Sequence, residues 1–172
     1  MQLLLNLIIY LIKVFIVYIA FFSMTSAIMK ISSFEYFIAT TNKISNYKIN
    51  NTVIRYSAII FLIIELLSPL LMLIEEEINI LFATLLLLIY ILATLYILPV
   101  VVKDIRVECG CFGSYFNITA DWYKVLENTI YIVLILCIYV IKDVQITSFT
   151  YIFALILLII RLYFLQKRGK YI

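Results

Sequence analysis

The sequence predicts an all-α fold, a polytopic transmembrane bundle of four or five helices. Hydrophobic residues make up 66% of the 172 residues, charged residues make up only 13%, and the mean hydropathy is +1.17. Soluble domains usually contain about 25% charged and about 45–50% apolar residues. We therefore expect a single integral membrane domain over residues 1–172, with the lipid bilayer as its solvent.

Five apolar runs approach or exceed the length of about 20 residues that a membrane-spanning helix needs. They cover residues 3–29, 53–74, 78–102, 122–141 and 149–165. The first run lacks the basic leading region of a signal peptide and is too long for one, so it is expected to stay as a helix. Lys142 and Asp143 favour a break between the last two runs, because two adjacent charges are costly inside hydrocarbon. The longest polar stretches are residues 30–56 and 103–124.

Lysine and arginine mark one side of the predicted bundle. They follow the first, third and fifth runs, whereas the opposite side carries mainly the acidic residues 75–77 and a lone Lys142. Because basic loops usually stay in the cytoplasm, this pattern predicts an external N-terminus. It also places the loop 103–121 near the cytoplasmic face.

Composition excludes several functions. The chain has no histidine, which excludes imidazole metal ligands and histidine general bases, and a net charge of +3 is too small to indicate nucleic-acid binding. No cofactor-binding motif is evident, and a quinone is one candidate electron acceptor. The oligomeric state is left open.

Two of the three cysteines, Cys109 and Cys111, flank Gly110 in the segment VECGCFGSY. Their Cα atoms can approach within about 7 Å, the outer limit for a disulfide. Gly110 can adopt backbone conformations that residues with a Cβ atom avoid. A bond closed over so short a segment is expected to be strained and easily exchanged. Residues 103–121 are therefore named the redox loop.

Two other interpretations of the cysteine pair remain open. Two thiolates can hold a soft metal such as Cu(I) or Zn, although the chain offers only one further thiol, Cys137. Two free, inert cysteines are the simplest alternative. Nearby Lys124, like Lys103 and Arg106, is expected to anchor at lipid headgroups.

Charged residues within the predicted spans indicate a second feature. Lys13 and Glu65 lie near the centres of two apolar runs, where a lone charge costs about 3 kcal/mol. We expect Glu65 to pair either with Lys13 or with Lys30, as an intramembrane pair or proton relay. A snorkelling Lys13 with a protonated Glu65 is the alternative.

Several segments of the sequence also resemble those of a known protein family. ECGCFG, placed between the third and fourth apolar runs, is similar to the signature of the methylamine utilisation protein MauE family, a branch of DoxX-like redox-associated membrane proteins. SAIMK, residues 26–30, looks like the family's Ser-Gly-x-x-Lys with Ala27 in place of glycine, and Glu65 matches its glutamate. Pro69 stands where glycine is common, so close helix packing can differ here. The resemblance covers about residues 10–141.

The resemblance implies thiol–disulfide exchange with a thioredoxin-like partner, in support of disulfide formation or maturation of exported proteins. In the namesake the substrate is methylamine dehydrogenase. It also implies a multi-pass protein of the bacterial plasma membrane, with Cys109 and Cys111 as the exchanging residues of a thiol–disulfide oxidoreductase. An external partner conflicts with the cytoplasmic face that the basic loops predict. The alternative function is a transporter or accessory subunit whose cysteines are incidental or bind a soft metal.

Overall fold

The computed structural model describes residues 2–45, 49–74, 79–116, 118–139 and 147–168. The acidic residues 75–77, the turn that begins with Lys142 and Asp143, and the basic residues Lys48 and Lys170 lie outside these ranges. Within them the chain is almost entirely helical, as predicted. The helices are α1 (Gln2–Ser32), α2 (Phe34–Ile44), α3 (Asn51–Ile74), α4 (Ile80–Val102), α5 (Trp122–Leu136) and α6 (Ser148–Arg168).

Five of these helices, all except α2, are long and apolar enough to cross a membrane. Each corresponds to one predicted run, so the prediction of a helical membrane bundle is confirmed. The largest difference is in the fourth run, predicted as 122–141. There α5 ends at Leu136, and Cys137–Tyr139 forms a tighter 3₁₀ turn. Cys137 is a free, partly exposed thiol at that turn.

The helix α2 was not predicted. Its residues fell in the polar stretch 30–56, where hydropathy gives no membrane signal. The helix is amphipathic, and Ile38, Thr40 and Ile44 form its buried face. It packs against α3 and against the redox loop, so it lies on the bundle rather than across the membrane.

The first helix is the centre of the bundle. It packs against α3 and α6 and also against the redox loop, while α4 packs between α3 and α5. Its residues Val17, Ile19 and Ala20 have no exposed surface. Apolar side chains on the outer faces, such as Leu88, Leu92 and Leu95 of α4, are about half exposed, which suits contact with lipid.

The alternation of five crossings puts four features on one face of the membrane. They are the C-terminal end of α1, the helix α2, the redox loop, and the C-terminal end of α6. The loop then enters α5 through Asp121, whose carboxylate accepts the Lys124 backbone N–H at 2.9 Å and caps the helix.

Candidate functional site

The redox loop is a short, closed structure on the end of the bundle. Its two sides pair through Cys109 N–H, which donates to Ile118 O at 2.7 Å, and Ala120 N–H, which donates to Val107 O at 2.8 Å. The segment Cys111–Ser114 is a four-residue strand. Ser114 N–H donates to Ser33 Oγ at 3.0 Å, which fastens the loop to the junction of α1 and α2.

Cys109 and Cys111 are joined by a disulfide, with their Cα atoms 5.2 Å apart. That separation lies within the usual disulfide range. Gly110 between them has φ +64°, and Gly113 has φ +57°. Both values lie in the left-handed region, where glycine carries no Cβ penalty. Gly110 therefore gives the backbone the turn that brings the two cysteines together, whereas Gly113 lies after the pair, where the loop packs against Met29 and Ser33.

The two cysteines differ in burial. Cys109 is only 7% exposed and packs among Ile97, Val101 and Ala120. Cys111 is only partly buried. Between the pair and the bundle, Phe112 is 1% exposed and packs edge-to-face on Phe22. Cys111 is therefore the more exposed residue of the pair.

A buried ion pair lies beneath the loop. Lys30 Nζ lies 2.7 Å from Glu65 Oε1 and 2.8 Å from Oε2, and the two side chains are 6% and 7% exposed. The Ser26 hydroxyl lies 3.1 Å from Glu65 Oε1 and 2.7 Å from the Cys111 carbonyl oxygen. One serine therefore connects the charged pair to the backbone of Cys111.

Of the two partners that the sequence suggested for Glu65, the structure brings only Lys30 to it. Lys13 is partly exposed on α1 and has no ion-pair partner among the described residues. The Lys30 ammonium also lies over the rings of Phe37 and Phe61, at 5.5 and 5.3 Å from their centroids. These ring faces add cation–π attraction to the pair.

A second charged cluster was missed by sequence reasoning. Glu127 on α5 pairs with Lys124 Nζ at 2.9 Å and with Arg161 of α6. Lys124 was expected to anchor at headgroups, but its side chain is 7% exposed, and Nζ lies over Phe22 and Phe112. The signal that could have found the cluster is Glu127 itself, an acid five residues inside a membrane span.

Within the part of the chain that the structure describes, no three His, Cys, Asp or Glu side chains lie together. The sulfurs of Cys109 and Cys111 are bonded to each other.

The loop also carries a pH-sensitive contact outside the membrane spans. Tyr36 OH on α2 donates to Glu108 Oε2 at 2.6 Å, and burial, together with this bond and the Glu108 charge, raises the Tyr36 pKa to about 12. Folding raises the Tyr36 pKa above its unfolded value of about 10. The protonated Tyr36 hydroxyl and its bond to Glu108 therefore contribute to the free energy of unfolding in full below pH 10. This contribution is lost as the pH rises towards 12.

Replacing Tyr36 with phenylalanine is therefore expected to lower the free energy of unfolding by about 1 kcal/mol at pH 8. The difference from wild type should shrink as the pH rises above 10. Thermal unfolding in detergent between pH 8 and 11 measures it. The control is Tyr115→Phe, at an exposed loop tyrosine. An equal effect of both variants, or a Tyr36→Phe effect independent of pH, would contradict this assignment.

Comparison with known proteins adds one match. The family model described as "Methylamine utilisation protein MauE" matches residues 8–141, a range that includes the buried Lys30–Glu65 pair and the redox loop. No curated protein and no solved structure matches the chain significantly.

Proposed function

The chain belongs to the MauE family of membrane proteins, and we propose that it exchanges disulfides with a thioredoxin-like partner through Cys109 and Cys111. The observation that carries the proposal is the pair itself, a disulfide over one left-handed glycine at the end of a membrane bundle. A bond that closes so short a loop removes little chain entropy, so stapling the fold is a poor explanation for it.

Exchange would proceed through Cys111. A partner thiolate attacks Cys111 Sγ, the partner–Cys111 disulfide forms, and Cys109 leaves as a thiolate. A second partner thiolate then attacks the partner's own sulfur in that mixed disulfide and releases Cys111. The partner ends as a disulfide and the Cys109–Cys111 pair as a dithiol, so two electrons pass to this chain. The lower burial of Cys111 supports its role as the attacked sulfur.

In a bacterial plasma membrane, this reaction would support disulfide formation or maturation of exported proteins. It requires the redox loop on the external face, whereas the lysine and arginine count predicts the cytoplasmic face. The buried Lys124 and Lys30 weaken that count, because both are held by carboxylates within the protein and not by the cytoplasmic leaflet.

Trapping tests the proposal and the orientation together. The probe is a thioredoxin-like protein that keeps only its attacking cysteine, presented in disulfide-activated form to the outside of spheroplasts or to inverted vesicles. Cys109→Ser, which leaves Cys111 free, should form a mixed disulfide with the probe on spheroplasts. Cys111→Ser should form several-fold less, because Cys109 is buried.

All variants carry Cys137→Ser, because Cys137 is a free, partly exposed thiol. The control is the double variant Cys109→Ser/Cys111→Ser in that background, which should form no adduct. Adducts confined to inverted vesicles would place the loop in the cytoplasm and overturn the external role. The absence of adducts from both preparations would overturn the exchange reaction itself.

A further inference from the structure

The Ser26 side chain lies between the disulfide and the buried ion pair. Its hydroxyl oxygen is 2.7 Å from the Cys111 carbonyl oxygen and 3.1 Å from Glu65 Oε1, and Ser26 is 5% exposed. Both neighbours are acceptors, the second of them as the carboxylate that pairs with Lys30. A serine hydroxyl has a single proton, so the two oxygens compete for it.

The distances show which oxygen receives that proton in the disulfide form. Hydrogen bonds from a hydroxyl to an oxygen usually measure about 2.5–3.0 Å between the heavy atoms. This range includes the contact with Cys111 and excludes the contact with Glu65. The Ser26 proton is therefore donated to Cys111. Glu65 keeps its two contacts with Lys30 Nζ, at 2.7 and 2.8 Å, but lacks a third full hydrogen bond.

Reduction of the disulfide is expected to move Cys111 rather than Cys109. When the Sγ–Sγ bond breaks, the two sulfur atoms separate to a nonbonded distance. Cys109 is 7% exposed, packs in an apolar cluster and donates its N–H to Ile118 O at 2.7 Å. Cys111 is more exposed and follows Gly110, which has the backbone freedom of a glycine. The movement therefore falls on the side of the loop that the Ser26 hydroxyl contacts.

We propose that Ser26 is a positioning residue that couples the buried ion pair to the dithiol–disulfide equilibrium of the two cysteines. In the disulfide form its hydroxyl holds the Cys111 carbonyl. In the dithiol form Cys111 has moved away, and the hydroxyl turns to Glu65, which is charged and therefore the stronger acceptor. The Ser26 proton changes direction and does not leave its oxygen.

This coupling rests on the exchange reaction proposed above. There a partner dithiol is oxidised to a disulfide, and its two electrons and two protons pass to the Cys109–Cys111 bond, which opens to two thiols. Because the Ser26 hydroxyl turns to Glu65 only in the dithiol form, the ion pair stabilises the reduced product. The ion pair therefore makes this chain a better electron acceptor.

The test is the equilibrium between the protein and dithiothreitol, measured by counting free thiols in phosphatidylcholine nanodiscs, in a Cys137→Ser background. Lys30→Met/Glu65→Leu removes the acceptor for the Ser26 hydroxyl in the dithiol form. It should shift the equilibrium about tenfold towards the disulfide, which lowers the reduction potential by about 30 mV. Lys30→Met/Glu65→Gln keeps the shape of the side chain and a neutral acceptor, so it should give a smaller shift.

Both double variants are then combined with Ser26→Ala, where each should change the equilibrium by less than about twofold. The matched control is Ser23→Ala. Ser23 is also buried, one turn earlier on α1, but donates to the Glu65 backbone oxygen at 3.3 Å. Its replacement should leave both the equilibrium and the tenfold shift unchanged.

The possible failures are distinguishable. Equal shifts with Ser26 and with Ser26→Ala, or no shift in either background, would overturn the coupling while the exchange reaction stands. A wild-type disulfide that cannot be reversibly reduced would overturn the exchange reaction and the coupling together.

Discussion

Glu65→Leu is expected to lower the free energy of unfolding by about 3–5 kcal/mol, the usual cost of removing one partner from a buried ion pair. The remaining Lys30 ammonium would stay 5% exposed between two phenyl rings with no counter-charge. Lys30→Met should cost a similar amount, because it leaves the Glu65 carboxylate uncompensated. Reversible unfolding in mixed detergent micelles measures both.

The double variant distinguishes the pair from simple packing. Lys30→Met/Glu65→Leu removes both charges, so it should be far more stable than the sum of the single losses predicts. The matched control is the pair between Glu35 and Arg55, whose side chains are 73% and 46% exposed. Breaking that exposed pair with Glu35→Leu should change stability by less than about 1 kcal/mol. Additive losses in the Lys30/Glu65 cycle would contradict the assigned coupling.

The glycines of the redox loop give the second large effect. At Gly113, an added Cβ would lie 2.7 Å from the Met29 carbonyl oxygen and would overlap Ser33 Oγ. The left-handed φ costs a non-glycine residue roughly 1–2 kcal/mol, and forced overlap costs a further 1–3 kcal/mol. Gly113→Ala is therefore expected to detach the loop from α1, with faster reduction of the Cys109–Cys111 bond by dithiothreitol.

Gly110 provides an internal comparison. There an added Cβ meets the Thr40 side chain, overlapping Oγ1 and lying 3.1 Å from Cβ. Thr40→Ala should therefore recover part of the stability that Gly110→Ala loses, leaving the φ penalty. Ser33→Ala should recover less in Gly113→Ala, because the Met29 backbone oxygen stays in place. Equal recovery of stability at both glycines would contradict this account, because it would show that the Met29 carbonyl oxygen does not limit the space for a side chain at residue 113.

The membrane spans could be predicted from the sequence, because a helix surrounded by lipid must be apolar along its length and hydropathy measures that property directly. Each of the five spans lies within a few residues of its predicted range. Helix α2 escaped prediction because its stability comes from one apolar face, Ile38 and Ile44, packed on neighbours distant in sequence. The 3₁₀ turn after Leu136 also carries no hydropathy signal, because its residues are apolar.

The candidate site was predictable only in part. The cysteine spacing and Gly110 define the loop chemistry locally, and Glu65 is conspicuous as an acid within a span. Which lysine meets Glu65 depends on how α1 and α3 pack, and both Lys13 and Lys30 were compatible with the sequence. The link through Ser26 to the Cys111 carbonyl spans 85 positions, so no local pattern reveals it.

The same limit applies to the Glu127–Arg161 pair, which joins α5 to α6. Arg161 is close enough to the end of its helix to reach the membrane surface, so its inward direction is a tertiary property. Lys124 is a further example. Its position two residues after Trp122 predicts a side chain at the lipid headgroups, but the structure buries it against Phe22 and Phe112.

A redox titration of the purified protein tests the central claim, that Cys109 and Cys111 form an exchangeable disulfide, most directly. A Cys137→Ser background removes the third thiol, and a maleimide-linked polymer counts free thiols after equilibration in dithiothreitol buffers. The account predicts one reversible two-electron transition in which both thiols appear together. Thiols that stay reduced throughout, or a pair that cannot be re-oxidised after reduction, would contradict it.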